Sequence, residues 1–264
     1  MHRPALMVIK TPEEIGRMRR AGHLAARALQ AVLDAVQPGA TTAALDRIAE
    51  AFIRDHGGVP SFKGYRGAAA TPFPGSICVS INDEVVHGIP GPRRLREGNI
   101  VSIDLGAFLD GFHGDVARTV PVGDVDAETA RLLAVGKEAL AAGVAEAREG
   151  RTVGDIGHAV QQVVERAGFS VVRNFAGHGI GRDLHEGPEV PNFGTPGTGP
   201  VLRRGMTLAI EPMVNAGTYE VVVLEDGWTV RTADRRRSAH FEHTVAVDVD
   251  GPAVLTRLTG EGAV

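Results

Sequence analysis

Two segments of the sequence repeat the same arrangement of turn and apolar residues, and this repeat restricts the possible folds more than any other feature. Aligning Gly39 with Gly150 also matches Thr41 with Thr152, and the apolar spacing that follows is the same. The remaining matched pairs are Leu45 with Ile156, Phe52 with Val163 and Gly57 with Gly168. Two helices of similar spacing can match by chance, but a duplication favours one pseudo-symmetric domain over two unrelated domains.

Each repeat lies in a pair of predicted helices. Thr11 can cap the first helix, with Pro12 in its first turn and Glu14 closing a capping box. Apolar residues then recur with a 3.6-residue period until Pro38-Gly39, and a second helix runs from Thr42 to near Gly57. The second pair carries the same signals: Asp126 and Gly150 bound one helix, and Thr152, Asp155 and Gly168 bound the other.

Segments with the pattern of strands follow each helix pair. They cover residues 76–81, 99–109, 114–122, 171–174, 206–212, 219–224, 228–232 and 241–249. Asp110-Gly111 separates two of them and is a strong signal for a hairpin. Two helix pairs with a mostly antiparallel sheet predict an α+β fold.

Composition limits the class of protein. Apolar residues make up 43% of the chain, charged residues 23%, and the net charge is -4, so bulk charge predicts neither direct nucleic-acid recognition nor an acidic-membrane partner. A single cysteine, Cys78, excludes a disulfide framework and a thiolate-rich zinc site. Residues 1–10 lack the apolar core of a signal peptide, and no run approaches transmembrane length. We therefore expect a cytoplasmic protein.

Two aspartates flank the predicted hairpin turn. Asp104 interrupts an apolar strand, and Asp115 lies on the return strand. If the turn centres near Leu109-Asp110, the two carboxylates lie opposite each other, where they repel unless a cation lies between them. One interpretation is a metal pair bridged by Asp115, with Asp104 on one ion. The alternative is that Asp115 decorates a turn and Asp104 caps a strand end.

Two histidines and two glutamates extend this pattern. A glycine-rich segment presents His178 and His185 on a predicted loop, where a histidine is as often structural or solvated as functional. Glu211 lies in an apolar strand that Pro212 ends, and Glu242 begins another. Burying a glutamate without a partner costs several kcal/mol, so convergence on cations is the simpler explanation. Four carboxylates and one imidazole suit Mn²⁺, Fe²⁺, Co²⁺ or Zn²⁺ in a two-metal hydrolytic site, which generates hydroxide from a bridging water near neutral pH.

The order Asp104, Asp115, His178, Glu211, Glu242 resembles the ligand set of the methionine aminopeptidases in the pita-bread (creatinase/aminopeptidase) metallopeptidase family. The surrounding strings are similar too: His-Gly-Ile-Pro at His87, Asp-Gly-Phe-His-Gly-Asp ending at Asp115, Gly-His-Gly-Ile-Gly at His178, Glu-Pro-Met at Glu211 and Phe-Glu-His-Thr at Glu242. The resemblance spans residues 11–249. It implies duplicated helix pairs, related by a pseudo-twofold axis, over a curved, mostly antiparallel sheet.

The resemblance implies a role for each ligand. Asp104 would chelate one metal, Asp115 and Glu242 would bridge the two ions, and His178 with Glu211 would complete the second. The substrate's free α-amine would bind the metal that Asp104 holds. The reaction implied is removal of the initiator methionine from nascent proteins with a small second residue, through a metal-bridging hydroxide.

Three residues would carry the proton transfers and hold the substrate. The resemblance implies that Glu211 is the general base, that His185 hydrogen-bonds the scissile amide and the developing oxyanion, and that His87 positions the substrate backbone. The residues that correspond to the methionine pocket are Tyr65, Phe73, Cys78, Leu184 and Trp228. Each of them can equally be a core residue. Leu184 stands where the family often has phenylalanine, and the segment 65–73 looks longer than usual, so the pocket's shape is expected to differ.

Length and insertions indicate the minimal, bacterial-style type I enzyme. No large N-terminal domain precedes the catalytic pattern, residues 186–204 leave no room for the helical subdomain of type II enzymes, and one cysteine excludes an N-terminal Cys/His zinc segment. The expected organisation is an N-terminal extension at 1–10, one catalytic metallopeptidase domain at 11–250 and a C-terminal tail at 251–264.

Two other functions are alternatives for this sequence. A proline-directed peptidase on the same scaffold would prefer Ala-Pro peptides over Met-Ala-Ser, and a binding module that has lost catalysis would cleave neither. The expected partners are N-terminal methionyl peptides, with the ribosome as a transient partner, and the expected state is a monomer. The run Arg235-Arg236-Arg237 fits a solvated loop better than a docking patch.

Overall fold

A computed structural model of the chain describes residues 7–67 and 69–258. The ends of the predicted N-terminal extension and C-terminal tail, and Ala68 in the predicted long segment, lie outside these residues. The helices are α1 (Pro12–Leu33), α2 (Thr42–Asp55), α3 (Ala127–Ala145) and α4 (Val153–Arg166). The strands are β1 (Val59–Pro60), β2 (Cys78–Ile81), β3 (Glu84–Val86), β4 (Ile100–Leu109), β5 (Phe112–Pro121), β6 (Ser170–Val171), β7 (Ala176–Gly179), β8 (Glu186–Pro191), β9 (Thr207–Ile210), β10 (Met213–Asn215), β11 (Val221–Val223), β12 (Val230–Thr232), β13 (Ser238–His240), β14 (Glu242–Ala246) and β15 (Ala253–Val254).

The helix-capping signals are confirmed. The Thr11 hydroxyl accepts a hydrogen bond from the Glu14 amide at 3.2 Å, and the Glu14 carboxylate accepts one from the Thr11 amide at 2.9 Å. Asp126 caps α3 by accepting from the Thr129 amide at 2.7 Å. Local side-chain chemistry therefore determines where these helices begin.

The internal repeat is also present in the structure. The helices α2 and α4 each have 14 residues and a threonine N-cap, Thr41 and Thr152. The glycine after each helix has the same left-handed φ, 78° at Gly57 and 77° at Gly168. The two halves therefore share the local geometry that the aligned sequence predicts.

The sheet that carries the site has nine strands. Seven of them follow the order β1-β4-β5-β14-β9-β7-β8, while β2 pairs with β4 and β15 pairs with β14, all antiparallel. Asp110 (φ 53°) and Gly111 (φ 84°) form the tight turn between β4 and β5. Two three-stranded sheets, β13-β10-β6 and β11-β12-β3, complete an α+β architecture, as predicted.

Two apolar layers lie between the helices and the sheet. One joins α1 and α2 to the β4–β5 hairpin through residues such as Leu29, Leu45, Ile53, Ile103 and Leu105. The other joins α3 and α4 to β9 and β14 through residues such as Leu132, Leu140, Ile156, Leu208 and Val245. Because each helix pair covers its own half of the sheet, the opposite surface remains for a site.

The segments at both ends of the described chain pack on this body. Lys10 is buried, and its amide donates to the carbonyl of Gly205 at 2.8 Å. Leu255 is fully buried and its amide donates to the carbonyl of Thr244 at 2.8 Å. The division at residues 10 and 250 remains a prediction. Within the part of the chain that the structure describes, no helix is long and apolar enough to cross a membrane.

Candidate metal and peptide site

Five side chains with metal-ligating atoms lie on neighbouring strands of the nine-stranded sheet. The strands β4, β5, β14, β9 and β7 are adjacent in that order. They carry, in the same order, Asp104, Asp115, Glu242, Glu211 (one residue beyond the end of β9) and His178. We call these five residues the ligand cluster. Strand pairing therefore brings together residues that are far apart in the sequence.

The strand register places the carboxylates on one face. Asp104 pairs with Ala117, and Ala117 pairs with Glu242, so these three residues form one cross-strand row. Asp115 lies two residues before Ala117 and therefore faces the same side. Directly opposite Asp115 on β4 is Gly106, not Asp104. The predicted opposition of the two aspartates is wrong because the turn centres on Asp110-Gly111, one residue later than assumed, and the two carboxylates are diagonal neighbours.

His178 and Glu211 share that face. His178 pairs with Ala209, and Glu211 follows Ala209 by two residues. His178 lies in β7, so the prediction that it lies on a loop is wrong, whereas His185 does lie in an irregular bend before β8. Ligand atoms of Asp115, His178 and Glu242 lie within 4.8 Å of one another.

Burial disfavours the ionised form of the carboxylates in the ligand cluster. It raises the pKa of Asp115 to about 7 and raises those of Asp104, Glu211 and Glu242 well above their ordinary values; neighbouring carboxylates raise these three further. One oxygen of Asp104 (Oδ1) and one of Glu242 (Oε1) are buried without a hydrogen-bond partner. A buried acceptor in this state is unfavourable unless something supplies positive charge.

The imidazoles beside Glu211 do not supply that charge. His178 Nε2 lies 3.5 Å from Glu211 Oε1, and His240 Nε2 lies 3.6 Å from Glu211 Oε2. Burial lowers the pKa of each imidazole to about 3, so both are neutral near pH 7. His178 Nδ1 bonds the carbonyl of Gly179 at 2.9 Å, which leaves Nε2 directed at the carboxylates.

The cluster fits divalent cations by its donor set. It offers buried carboxylate oxygens, two of them orphaned, and a neutral imidazole whose other nitrogen is already hydrogen-bonded. Hard oxygen donors with one nitrogen are typical of Mn²⁺, Fe²⁺, Co²⁺ and Zn²⁺ sites. A cation would remove both the carboxylate repulsion and the unpaired acceptors.

The ligand cluster forms the floor of a cavity of about 400 Å³. All five predicted pocket residues line it, and so do His87 and His185. We call the five predicted pocket residues the apolar wall: Tyr65, Phe73, Cys78, Leu184 and Trp228. Phe62, Phe175, Val223 and Val230 line the cavity as well and were not predicted from the sequence.

Aromatic contacts hold this wall together. The Trp228 indole donates to the carbonyl of Thr71 at 3.0 Å and meets Phe73 edge-on, with ring centroids 5.2 Å apart. Tyr65 lies 5.1 Å from the ring of His185, which in turn lies 4.2 Å from the ring of His178. His185 therefore bridges the wall and the floor.

His87 and His240 complete the surroundings. His87 adopts a left-handed φ of 61° and lies edge-on to Phe175 at 5.8 Å, while burial lowers its pKa to about 4. His240 is 1% exposed, and neither of its ring nitrogens has a hydrogen-bond partner. Its position two residues before Glu242 was the one sequence signal that could have placed it on this face.

The arginine run lies outside the cavity in ion pairs. Arg235 pairs with Asp83 at 2.7 Å and Arg236 with Glu128 at 2.6 Å. Arg237 pairs with Asp126 at 3.3 Å. The charge of this run is thus largely balanced by acidic residues of the same chain.

Comparison with known proteins finds consistent relatives. The sequence model of metallopeptidase family M24 matches residues 16–248. Methionine aminopeptidase 1 of Bacillus subtilis is 51% identical over 253 residues, which is 96% of this chain and 100% of the relative. A methionine aminopeptidase of Clostridium perfringens is 51% identical and covers 95% and 99% of the two chains. The crystal structure of the methionine aminopeptidase from Rickettsia prowazekii superposes with a TM-score of 0.92 at 43% identity, covering 96% of this chain and 100% of that one.

Proposed function

This chain belongs to metallopeptidase family M24 as a methionyl aminopeptidase, and from that premise we propose that it removes the initiator methionine from new polypeptides with a small second residue, using two divalent metal ions. The observation that carries this proposal is the convergence of two buried carboxylates (Asp115 and Glu242), two half-buried carboxylates (Asp104 and Glu211) and the buried imidazole of His178 at the floor of an apolar cavity. A floor of this kind supports hydrolysis, and the wall supports recognition of an apolar first side chain.

The five residues of the ligand cluster would hold the ions. Asp104 would bind one ion, Asp115 and Glu242 would lie between the two, and His178 with Glu211 would bind the other. When bound, two cobalt, manganese, iron or zinc ions would make a water molecule nucleophilic near neutral pH and would polarise the scissile carbonyl.

Three residues of the chain would act on the substrate. Glu211 would accept a proton from the attacking water and pass it to the leaving amine. His185, which lies in the bend before β8 with its ring 4.2 Å from that of His178, would donate a hydrogen bond to the carbonyl oxygen as it gains charge. His87, which lines the cavity beside Phe175 and Trp228, would hold the substrate backbone.

The apolar wall would select methionine. A thioether side chain is flexible and polarisable, so it fits aromatic surfaces such as Phe73 and Trp228. Cys78 pairs with Asp104 across β2 and β4, so the wall and the floor meet at that position.

The proposal includes the location of the enzyme, its oligomeric state and its partners. We place it in the cytoplasm as a monomer, with one catalytic domain at 11–250 and with N-terminal methionyl peptides as partners. A transient association with the ribosome would bring the enzyme to its substrates.

The test is methionine release from a panel of peptides that differ only at the second position. The metal-free protein is loaded in turn with Mn²⁺, Co²⁺, Fe²⁺ or Zn²⁺, and the panel is compared with an Ala-Pro peptide. We expect metal-dependent release from peptides with Ala, Gly or Ser second, and little release when the second residue is bulky. Preference for the Ala-Pro peptide would favour a proline-directed peptidase, and metal binding without cleavage would favour a binding module.

A further inference from the structure

The N-terminal segment lies against the bend that carries His185. We call Met7–Lys10 the N-terminal strap and residues 181–186 the histidine turn. Met7 bridges to Gly187 in parallel, immediately after the turn. The amide of Lys10 donates to the carbonyl of Gly205 at 2.8 Å. The strap precedes the region that matches the family model, which begins at residue 16.

Lys10 and Glu186 form a buried ion pair between the strap and the turn. The Lys10 side chain is 2% exposed and that of Glu186 is 6% exposed. Lys10 Nζ donates to Glu186 Oε2 and also to the carbonyl of Val8 at 3.3 Å. Burial lowers the pKa of Lys10, and Glu186 opposes this shift by a hydrogen bond and by its charge. An ion pair this deeply buried loses its solvation, so removing one partner leaves the other in an unfavourable state.

The second oxygen of Glu186 holds the histidine turn itself. Glu186 Oε1 accepts hydrogen bonds from the amides of Arg182 at 2.9 Å and Asp183 at 3.4 Å. The Glu186 carboxylate is therefore fixed from one side by Lys10 and in turn fixes two backbone groups of the bend. Leu184 and His185 are the next residues of that bend.

Gly181 allows the strap and the turn to approach this closely. A Cβ at position 181 would lie 2.5 Å from both Lys10 Cε and Glu186 Oε1. The carbonyl of Gly181 accepts a hydrogen bond at 2.8 Å from the amide of His113, which lies two residues before Asp115 in β5. The turn is thus held between the strap on one side and the sheet on the other.

We propose that Lys10 is a positioning residue for the peptidase reaction. Through Glu186 it fixes the histidine turn, and so sets the placement of the His185 imidazole over the ligand cluster and of Leu184 in the apolar wall. The proposal rests on the role given to His185 in the proposed function. The alternative is an ion pair that stabilises the fold without affecting the reaction.

The expected effect is on turnover more than on affinity. A misplacement of about 1 Å at a catalytic group can lower the rate by about 10²-fold. Lys10→Met keeps nearly the length of the side chain and removes its charge. We therefore expect it to lower kcat by about 10-fold to 10²-fold per correctly folded molecule. Metal affinity should change much less, because the hydrogen bonds that join Lys10 and Glu186 to each other, to Val8 and to the histidine turn reach no residue of the ligand cluster. Loss of a partner that bonds a ligand, in contrast, typically costs about 10-fold to 10²-fold in metal affinity.

The experiment compares Lys10→Met, Glu186→Gln and the double variant with Lys63→Met. Lys63 pairs with Glu50 at 2.6 Å on the exposed surface, so its removal is a matched control for loss of a lysine–glutamate pair. The measurements are kcat and KM for a Met-Ala-Ser peptide at saturating Mn²⁺, the metal Kd, and the melting temperature. Hydrogen exchange at the Arg182 and Asp183 amides of the metal-free protein reports on the turn without reference to activity.

We expect Lys10→Met and Glu186→Gln to lower kcat to a similar extent, the double variant to add little, and Lys63→Met to leave kcat unchanged. Exchange at the two amides should become faster only in the first three variants. A lower melting temperature with an unchanged kcat and unchanged exchange would overturn the proposal. If Lys10→Met does not fold, Glu186→Gln decides alone, because it keeps the side-chain volume and a carbonyl acceptor. A wild-type protein that releases no methionine would instead refute the proposed function, whatever the amide exchange shows.

Discussion

The floor of the cavity is built from neighbouring strands of one sheet, whereas four of the five residues of its apolar wall lie outside strands. Asp104, Asp115, His178 and Glu242 lie in strands and Glu211 follows one directly. In the wall, only Cys78 belongs to a strand; Tyr65, Phe73, Leu184 and Trp228 come from loops, bends and turns. Floor residues are positioned by the hydrogen bonds of the strand ladder. Wall residues outside strands are positioned by turn hydrogen bonds, such as that from the Phe73 amide to the Tyr65 carbonyl at 2.9 Å, and by side-chain contacts.

Because of this difference, the reacting groups and the selection of the substrate side chain depend on two different regions of the cavity. Strand register fixes the spacing of the carboxylates, so a change in the floor alters the reacting groups directly. Loops tolerate substitution more readily than strands do. A change in the wall can therefore leave the fold intact and alter which substrate side chain fits the cavity. His185 belongs to both regions, because its bend also carries Leu184 and its ring lies 4.2 Å from that of His178.

The largest expected effect is loss of a floor residue that also transfers protons. Glu211→Ala should lower kcat by at least about 10³-fold while the fold remains, because it removes a ligand and the proposed general base together. Methionine release at saturating Co²⁺ or Mn²⁺ measures this, with Glu138→Ala on the exposed face of α3 as the matched control. Near wild-type activity in Glu211→Ala would show that the floor does not carry the reaction.

A second prediction concerns the charge of the floor without metal. The pKa of Asp115 in the folded protein is about 7, above the ordinary value of 3.8 for an aspartate. Its ionisation therefore destabilises the metal-free fold as pH rises from about 4 to about 7. Metal-free Asp115→Asn should therefore gain stability relative to wild type over that range, by up to about 4 kcal/mol, since one pKa unit corresponds to about 1.4 kcal/mol.

Denaturant unfolding of both proteins across this pH range checks that prediction. The difference between the two proteins matters, because buried histidines with lowered pKa values affect both alike. Added Mn²⁺ should reverse the order by stabilising wild type more than Asp115→Asn. A stability difference that is independent of pH would mean that Asp115 is already charge-balanced without metal.

His185 tests the boundary between the two regions. His185→Ala should lower kcat by about 10²-fold if the imidazole stabilises an oxyanion, with a smaller change in KM. The exposed His56→Ala is the matched control, and steady-state kinetics on one methionyl peptide distinguishes the two. A change confined to KM would assign His185 to the wall as a ground-state contact.

The smallest expected effect is in the wall. Trp228→Ala should reduce the preference for methionyl over leucyl peptides by about 10-fold in kcat/KM, because an apolar contact of this kind discriminates by about 1–3 kcal/mol. Trp228→Phe should retain most of the preference, and the exposed Val222→Ala serves as control. Equal loss of activity on both peptides would show that Trp228 supports the floor instead of selecting the side chain.

Much of the site could be predicted from the sequence, because its signals are local. A capping box, an Asp-Gly turn and an acidic residue in an apolar strand can each be recognised within a few positions, as at Thr11, Asp110 and Asp104. The five ordered motifs then indicated the family, and the comparisons confirmed it. The fold class and the residues that converge on the cavity followed from these local signals and from the resemblance.

Contacts between distant segments could not be predicted in this way. The predicted register of the hairpin was wrong, because a turn that centres one residue later changes every cross-strand partner. His240 has one local signal, its position two residues before Glu242, and that signal does not predict that its ring lies 3.6 Å from Glu211.

The sequence by itself determined the local elements and the chemical class of the protein, since capping, alternation and residue type act within one segment. Only the tertiary structure decided which side chains share a row of the sheet. It also decided that Lys10 forms an ion pair with Glu186 of the histidine turn. Those contacts depend on the relative placement of segments far apart along the chain, which strand pairing and burial determine together.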